Sequence, residues 1–568
     1  MYPAPVRCVR RPRWVAPVAH ASRPATSRSS DGGGREPRRP GIPALDGLRA
    51  VAVALVLAGH GGIPGMSGGF LGVDVFFVLS GFLITSLLLD ELGRSGRIDL
   101  GGFWIRRARR LLPALVLMVL TAAVGRQFFP PEAVAGLRDD AIATFFFVAN
   151  WMFVADKTDY FAQGAPPSPL QHAWSLGVEE QYYIGWPLLL TAVAVLLAAR
   201  ARRRHRWATL GGVRLAVFLL ATLGALASAA AAIILASDAA RDRVYFGTDT
   251  RAQALLAGAA ASALLVGDWP SLNRGWSLIR SRWGSWTARL LPVLGLALLA
   301  VAAHYAAGTA REFRGGLLVV VAVAAVLVIA PVTLDQRGPV ATVLAWGPLV
   351  WLGTISYGVY LWHWPIFLVL NGERTGWSGL SLFCLRCAAT LAVSAASWWL
   401  IEQPVRKWRP VWVPLLPLAG ATAATAAAVT MLVVPVGPTT GGALDGSLPP
   451  GVSPVAAVSP SPPGGPRPAR AVAQRDPRRP FTVSVFGDSI GSSLMHYLPS
   501  TPGFHFVDHT VIGCSLVRGG PYRYLGQTLD QKTECESWPS RWTAEIAADR
   551  PDAILLIIGR WETVDRVN

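Results

Sequence analysis

Long apolar runs separated by short charged segments dominate the first 436 residues. Eleven such runs fall near residues 43–62, 70–90, 111–128, 181–199, 211–236, 250–268, 290–307, 316–334, 347–370, 381–402 and 411–436. Each has about the length a helix needs to cross ~30 Å of hydrocarbon. The pattern predicts a polytopic α-helical membrane bundle. A further apolar stretch, ATFFFVANWMF at 143–153, is too short to cross and is expected to lie at the interface or re-enter. The first run holds Asp46 and Arg49 and no small-residue cleavage site, so it is expected to stay as a span rather than be removed as a signal peptide.

The pattern changes twice toward the C-terminus. Residues 437–480 turn to Pro, Gly, Ser, Ala and Arg, a composition that cannot build a core and behaves as a tether. Beyond it three short β-rich runs follow: FTVSVFG at 481–487, HFVDHTVIG at 505–513 and AILLIIG at 553–559. The segments between them are long enough for crossover helices, which predicts a parallel α/β domain. The expected organisation is therefore a basic, disordered tail at 1–41, a membrane domain at 42–410, an extra transmembrane helix at 411–436, the linker, and an α/β domain at 481–568.

Composition supports this division. Hydrophobic residues make up 52% of the 568 and charged ones only 15%, against about 25% charged in soluble domains. The net charge of +18 comes almost wholly from Arg, since Lys157, Lys407 and Lys532 are the only lysines. So basic a chain invites a nucleic-acid reading. The charges, however, sit between apolar runs, and those on the N-terminal side outnumber the others roughly three to one, as the positive-inside bias requires. The N-terminus is thus expected in the cytoplasm and the α/β domain outside, with a lipid bilayer and no nucleic acid as partner. Cys514 and Cys535 both fall in that outer domain, where an oxidising compartment would join them. Cys384 and Cys387 lie one turn apart inside a span and read as small apolar filler.

Candidate chemistry is concentrated in a few spans. Arg49 and His60 are eleven positions apart, three helical turns plus ~20° and ~16 Å of rise, so they share a face with Asp46 one turn earlier. Ionisable groups in a span mark function by default, although a boundary acid and a terminal cap would look alike. In the second run Asp74 lies near the outer surface, and Ser80 and Gly81 permit close helix approach. Arg106, Arg107, Arg109 and Arg110 open the third run, with Arg106, Arg109 and Arg110 on one helical face. Guanidinium pairs bidentately with phosphate, so the cluster suits a multi-phosphate ligand such as coenzyme A; plain cytoplasmic anchoring suits it equally. Glu179 and Glu180 point about 100° apart on a helix, so one of them is expected to face the bundle interior and orient His60 or shape a channel. His363, between Trp362 and Trp364, fits an interfacial aromatic belt.

Together the strings DGLRAVAVALVLAGH, GVDVFFVLSGFLIT, FWIRRARRLLPA, SPLQHAWSLGVEEQYYIGWP, SYGVYLWHWP and IEQPVR resemble, in this order, the integral-membrane acyltransferase-3 family over about residues 43–410. The resemblance implies ten spans that pass an acyl group, commonly acetyl, from cytoplasmic acyl-CoA outward to a glycan or glycolipid in a bacterial-type plasma (inner) membrane, with no metal. It points to Arg49 and His60 as a catalytic pair, with His60 as general base or transient acyl carrier. It also lends weight to Ser80, Gly81, the Arg run as donor site, and Glu179 or Glu180.

The outer domain opens SVFGDSIGSSL, with Ser489 just after a strand, and carries a later GCS at Gly513. It resembles the SGNH hydrolase-type, flavodoxin-like domain fused to many members of that family, in which the serine is the nucleophile and the glycine helps build an oxyanion hole. Gly559, Arg560 and Trp561 stand in place of the Asn-containing block, and no DxxH block precedes Asn568. The domain is accordingly expected to be partial, with His496, His505 or His509 left to substitute as base. Two other classes stay open: a glycan or lipid-glycan transporter whose intramembrane charges line a path, and a membrane-anchored carbohydrate esterase acting through Ser489.

Overall fold

The structure is a computed structural model that describes residues 41–156, 158–161, 167–205, 209–265, 282–407, 479–498, 501–511, 514, 516, 522–524, 527–529, 533–558 and 565–566. The basic tail, the extra helix at 411–436, nearly all of the 437–480 linker, Gly513 and the stretch from Gly559 to Trp561 lie outside the described residues. Two compact units are present.

The first unit is helical. Its main elements are α1 (Pro43–His60), α2 (Gly72–Ser95), α3 (Leu100–Val124), α4 (Leu137–Phe145), α5 (Ala149–Ala155), α6 (Trp174–Arg203), α7 (Leu210–Leu235), α8 (Arg241–Phe246), α9 (Thr248–Leu265), α10 (Arg282–Tyr305), α11 (Leu317–Leu334), α12 (Gly347–Val369) and α13 (Gly379–Ser397). Among the described residues six helices are long and apolar enough to cross a membrane: α1, α2 with the turn before it, α6, α7, α11 and α13 with its continuation to Lys407. Four further runs expected to cross are represented by α3, α9, α10 and α12, which are not among the six. Polar side chains dilute three of them: the Arg run in α3, Arg251 and Gln253 in α9, and Ser356 and His363 in α12.

Helix boundaries moved most in α3. The apolar run alone starts it near 111, yet Asp99 accepts a hydrogen bond from the Gly102 amide at 3.0 Å and caps a helix from Leu100. The Arg run is therefore part of the helix wall. The 143–153 stretch is split between α4 and α5, with Phe147 at φ 57° between them.

The core lies where α9 packs against α2 and α7, and α12 against α1. Gly81 of α2 sits under α9, where a Cβ would come within 1.8 Å of the Leu255 carbonyl oxygen; Gly258 answers it, with a Cβ position 2.0 Å from the Val78 oxygen. Small residues thus bring two helices to backbone contact. Asp74, expected at a boundary, is fully buried here and pairs with Arg251 across the same seam, Oδ2 to Nη2 3.1 Å. The Arg251 guanidinium also lies 4.7 Å from the Tyr245 ring centre and 5.4 Å from that of Trp174.

In the second unit β1 (Phe481–Gly487) pairs in parallel with β2 (Phe504–Thr510) on one side and with β5 (Ala553–Ile557) on the other. The three β-rich runs read from the sequence are these strands. A second sheet joins β3 (Tyr522–Tyr524), β4 (Gln527–Leu529) and β6 (Asp565–Arg566) antiparallel. Helix α14 (Ser489–Tyr497) follows β1 directly, and α15 (Trp538–Asp549) precedes β5. A disulfide joins Cys514 to Cys535.

Candidate active site

The site begins with a cavity of about 800 Å³ in the helical unit. One part of its wall is cationic: Arg94 near the end of α2, and Arg106, Arg107 and Arg110 on α3. Elsewhere Arg49, Ser80, Ser175, Glu179 and Tyr360 contribute polar groups, and Phe76, Phe77, Leu83 and Leu87 apolar ones.

Helical geometry explains which arginines line it. Taking Arg106 as zero, Arg110 lies at ~40°, Arg107 at ~100° and Arg109 at about −60°. The cavity faces the first three; Arg109 is not among its lining residues, so the lining face differs from the 106/109/110 face read from spacing. Their environments also differ. Arg106 reaches Asp99 at 3.9 Å and Glu91 at 4.0 Å, whereas Arg107 lies 3.6 Å from Glu180 and covers the Tyr183 ring at 3.4 Å. Among the described residues Arg110 has no carboxylate within ion-pair distance.

The adjacent glutamates diverge as their 100° offset requires. Glu179 lines the cavity and accepts a hydrogen bond from Ser80 Oγ at 2.7 Å. Glu180 faces Arg107 instead. Neither holds His60, whose partners lie elsewhere, and this corrects the expectation that one of them orients it.

His60, at the last turn of α1, is not among the cavity-lining residues. Its Nδ1 is 2.9 Å from Nε2 of His363, and its Nε2 is 2.8 Å from the Tyr160 hydroxyl. His363 Nδ1 lies 2.6 Å from the Tyr360 carbonyl oxygen, which can only accept. With both imidazoles neutral the chain has one solution. His363 donates from Nδ1, its Nε2 accepts from His60 Nδ1–H, and His60 Nε2 is left as the basic nitrogen facing Tyr160. His363 is fully buried on α12; it is a partner of His60 and not part of an interfacial belt. Sequence reasoning missed Tyr160 and this role of His363, which only a contact across 303 positions reveals.

Tyr360 joins the two centres. Its ring lines the cavity, and its hydroxyl lies 2.7 Å from Ser175 Oγ and donates to the His172 carbonyl at 2.9 Å. A brace on the other side of His60 runs through Trp364, whose ring centre is 4.6 Å away and whose Nε1 donates to the Ser168 carbonyl at 2.9 Å. Ser168 in turn donates its hydroxyl to Asp140 on α4.

Burial pushes the Asp140 carboxyl up to about 7, with the charges of Asp156 and Asp139 adding to the rise. A carboxyl raised on folding favours the native state at low pH, and that contribution falls as pH climbs from the unfolded value near 4 to about 7. Purified protein should therefore melt at a lower temperature at pH 8 than at pH 5, and Asp140→Asn should reduce the difference. An unchanged difference in the variant would remove Asp140 as its source.

In the second unit Ser489 is the first residue of α14, immediately after the strand that ends at Gly487. The Asp488 side chain caps that helix on the Ile490 amide at 2.9 Å. Gly487 has φ 150°, and a Cβ there would sit 1.8 Å from the Ile557 oxygen, so the turn requires glycine. Of the substitute bases, His505 is exposed on β2, and His509 Nε2 is 2.5 Å from Asp549 Oδ2, a carboxylate that Ser484 also meets at 2.7 Å. Hydrogen bonds from Ser484 and then His509 hold the Asp549 carboxyl below its ordinary range.

These features define an integral membrane protein of helical bundle type, built around a largely apolar cavity with a cationic wall. A family model described as an acyltransferase domain matches residues 42–399, and the chain belongs to that acyltransferase family. It is similar to peptidoglycan O-acetyltransferase OatA of Listeria monocytogenes, 36% identical over 375 residues, covering 64% of this chain and 56% of that protein. The putative peptidoglycan O-acetyltransferase YrhL of Bacillus subtilis is 35% identical over 371 residues, covering 64% and 55%. The O-acetyltransferase OatA of Staphylococcus aureus is 34% identical over 367 residues, covering 64% and 57%. The chain thus spans little more than half the length of these relatives. No solved structure matches it.

Proposed function

We propose that this chain is a membrane O-acyltransferase that takes an acyl group, acetyl in the first instance, from cytoplasmic acyl-CoA and passes it to hydroxyls of an extracytoplasmic or lipid-linked glycan. The observation that carries this reading is one cavity in which Arg94, Arg106, Arg107 and Arg110 share the wall with Arg49, Ser80 and Glu179. Guanidinium groups suit the phosphates of coenzyme A, and the polar groups around Ser80 suit a reacting thioester. The names of the relatives make peptidoglycan the first acceptor to test.

In this reading ten spans plus an eleventh near 411–436 place the N-terminus and the Arg run in the cytoplasm and carry residues 481–568 outside through the 437–480 linker. His60 is the general base toward the acceptor: its Nε2 already faces a hydroxyl, that of Tyr160, at hydrogen-bonding distance. Ser489, the first residue of the helix that follows β1, is the relay residue of the outer domain.

The test is acyl transfer in sealed inverted vesicles given radiolabelled acetyl-CoA, with label followed into luminal glycan. Glycan label supports the reading. Its absence, with acetyl-CoA and longer acyl-CoAs alike and from protein shown to be folded, overturns it in favour of a transporter. In the same assay Arg110→Gln should raise the KM for acetyl-CoA about 10- to 100-fold with little change in kcat, from the ~1.5–3 kcal/mol of a hydrogen bond to a charged group. Arg110→Lys should restore only part of it, because a point charge lacks the planar fork.

A further inference from the structure

We propose that Arg241 and Asp242, at the start of α8, are positioning residues that clamp residues 159–161 and so keep the Tyr160 hydroxyl on Nε2 of His60. The inference deepens the acyl-transfer reading above and rests on it for the role of His60.

Tyr160 lies in the stretch 158–161, outside any helix, so no helical hydrogen-bond ladder fixes its backbone. Its hydroxyl nevertheless stands 2.8 Å from His60 Nε2, across 100 positions of chain. Two adjacent residues of α8 supply what the ladder does not. Asp242 Oδ1 accepts a hydrogen bond from the Tyr160 amide at 2.9 Å. Arg241 Nη2 pairs with Asp159 Oδ1, and that same oxygen accepts from the Phe161 amide at 2.9 Å. The Arg241 guanidinium also lies 3.6 Å from Asp242 Oδ2 and 5.1 Å from the centre of the Phe161 ring. Three consecutive residues are thus tied to two. Tyr245, three positions after Asp242 and four after Arg241, shares their helix face, and its ring centre is 4.4 Å from that of Tyr160. The Arg241, Asp159 and Asp242 side chains are only 24–26% exposed, so water screens the pairing less than it would at an open surface.

The clamp matters because His60 is held at both ring nitrogens, by His363 at Nδ1 and by Tyr160 at Nε2. Between two partners the imidazole keeps one tautomer and one orientation. With Tyr160 released the ring can turn about its side-chain bonds, and a reacting group misplaced by about 1 Å can cost on the order of 100-fold in rate. Asp159, Tyr160, Arg241 and Asp242 are not among the residues lining the cationic cavity, so the clamp acts on the base and leaves the donor site alone.

The test is steady-state acyl transfer by the full chain in the vesicle assay above. Arg241→Gln and Asp242→Ala should each lower kcat about 10- to 100-fold, with the KM for acetyl-CoA held within about a factor of two. Asp242→Asn keeps an oxygen for the Tyr160 amide and should retain most of the rate. Tyr160→Phe should lower kcat at least as far as Arg241→Gln does. Adding Arg241→Gln to Tyr160→Phe should cost less than about twofold more, because residues acting through one group are not additive. A role in folding alone would add its loss in both backgrounds. Hydrogen exchange in the peptide carrying 158–161 should quicken in Asp242→Ala, and Arg241→Gln carries the test by itself should that variant fail to fold. Wild-type rate in the folded variants, full additivity with Tyr160→Phe, or lost rate with unchanged exchange overturns the clamp and leaves the acyl-transfer reading standing. Wild-type vesicles that form no labelled glycan overturn that reading and the clamp's role with it.

Discussion

Replacing His60 by alanine is expected to lower acyl transfer to glycan about 10²- to 10⁴-fold, the range a positioned general base contributes. Donor binding should stay within a factor of two or so, because His60 does not line the cavity that carries the cationic wall. A matching loss of acetyl-CoA affinity would contradict the separation of donor cavity and base. The histidine pair sharpens the test. His363→Gln removes the ring that takes the His60 Nδ1 proton and sits 2.9 Å away, leaving His60 free to adopt the other tautomer. Activity should fall less than in the alanine variant of His60, and the pH–rate profile should shift. A positioning role predicts that shift; a role in folding alone would lower the amount of active protein and leave the profile in place. Tyr160→Phe removes the hydroxyl at Nε2 and tests whether the acceptor must displace it.

The second large effect concerns stability. Asp74 and Arg251 are buried to 1% and 0% side-chain exposure and pair at 3.1 Å between α2 and α9. Removing one partner leaves the other charge uncompensated in the core, which costs about 3–5 kcal/mol. Asp74→Ala and Arg251→Ala should each therefore give a steep loss of folded protein in a detergent melt. Arg251→Met with Asp74→Leu should recover much of that loss, since well-packed apolar side chains often replace such a pair at little cost. If the single variants melt with the wild type, the pair contributes nothing to the α2–α9 seam.

Much of this architecture is readable from pattern alone, and the limits have physical causes. Ten of the eleven apolar runs and the three β-rich runs appear, among the described residues, as helices and as one parallel sheet, because period and β-branched content are local properties. The Arg49–His60 stripe is a correct statement about one helix face. What it cannot say is that the two ends of a 16 Å stripe meet different surroundings, Arg49 a cavity and His60 a second imidazole. Arg109 and Arg107 exchanged places for a similar reason. Spacing ranks residues around a helix, but packing against α12 and the continuation of α13 to Lys407 decides which arc faces inward. His363 looked like part of a Trp belt, since its neighbours in sequence are tryptophans while its partner lies 303 positions away. Asp74 looked like a boundary acid for want of any local sign of Arg251.

Tyr360 carries a last consequence. Two of its groups point to two tasks: the carbonyl holds His363 in one protonation pattern, and the ring, hydroxyl-bonded to Ser175 and the His172 carbonyl, forms part of the cavity wall. A turn about the side-chain bonds moves the ring and leaves the carbonyl where it is. Such a rotation would reshape the cavity wall at Tyr360 while the hydrogen bond that sets the protonation pattern of the His363–His60 pair stays in place.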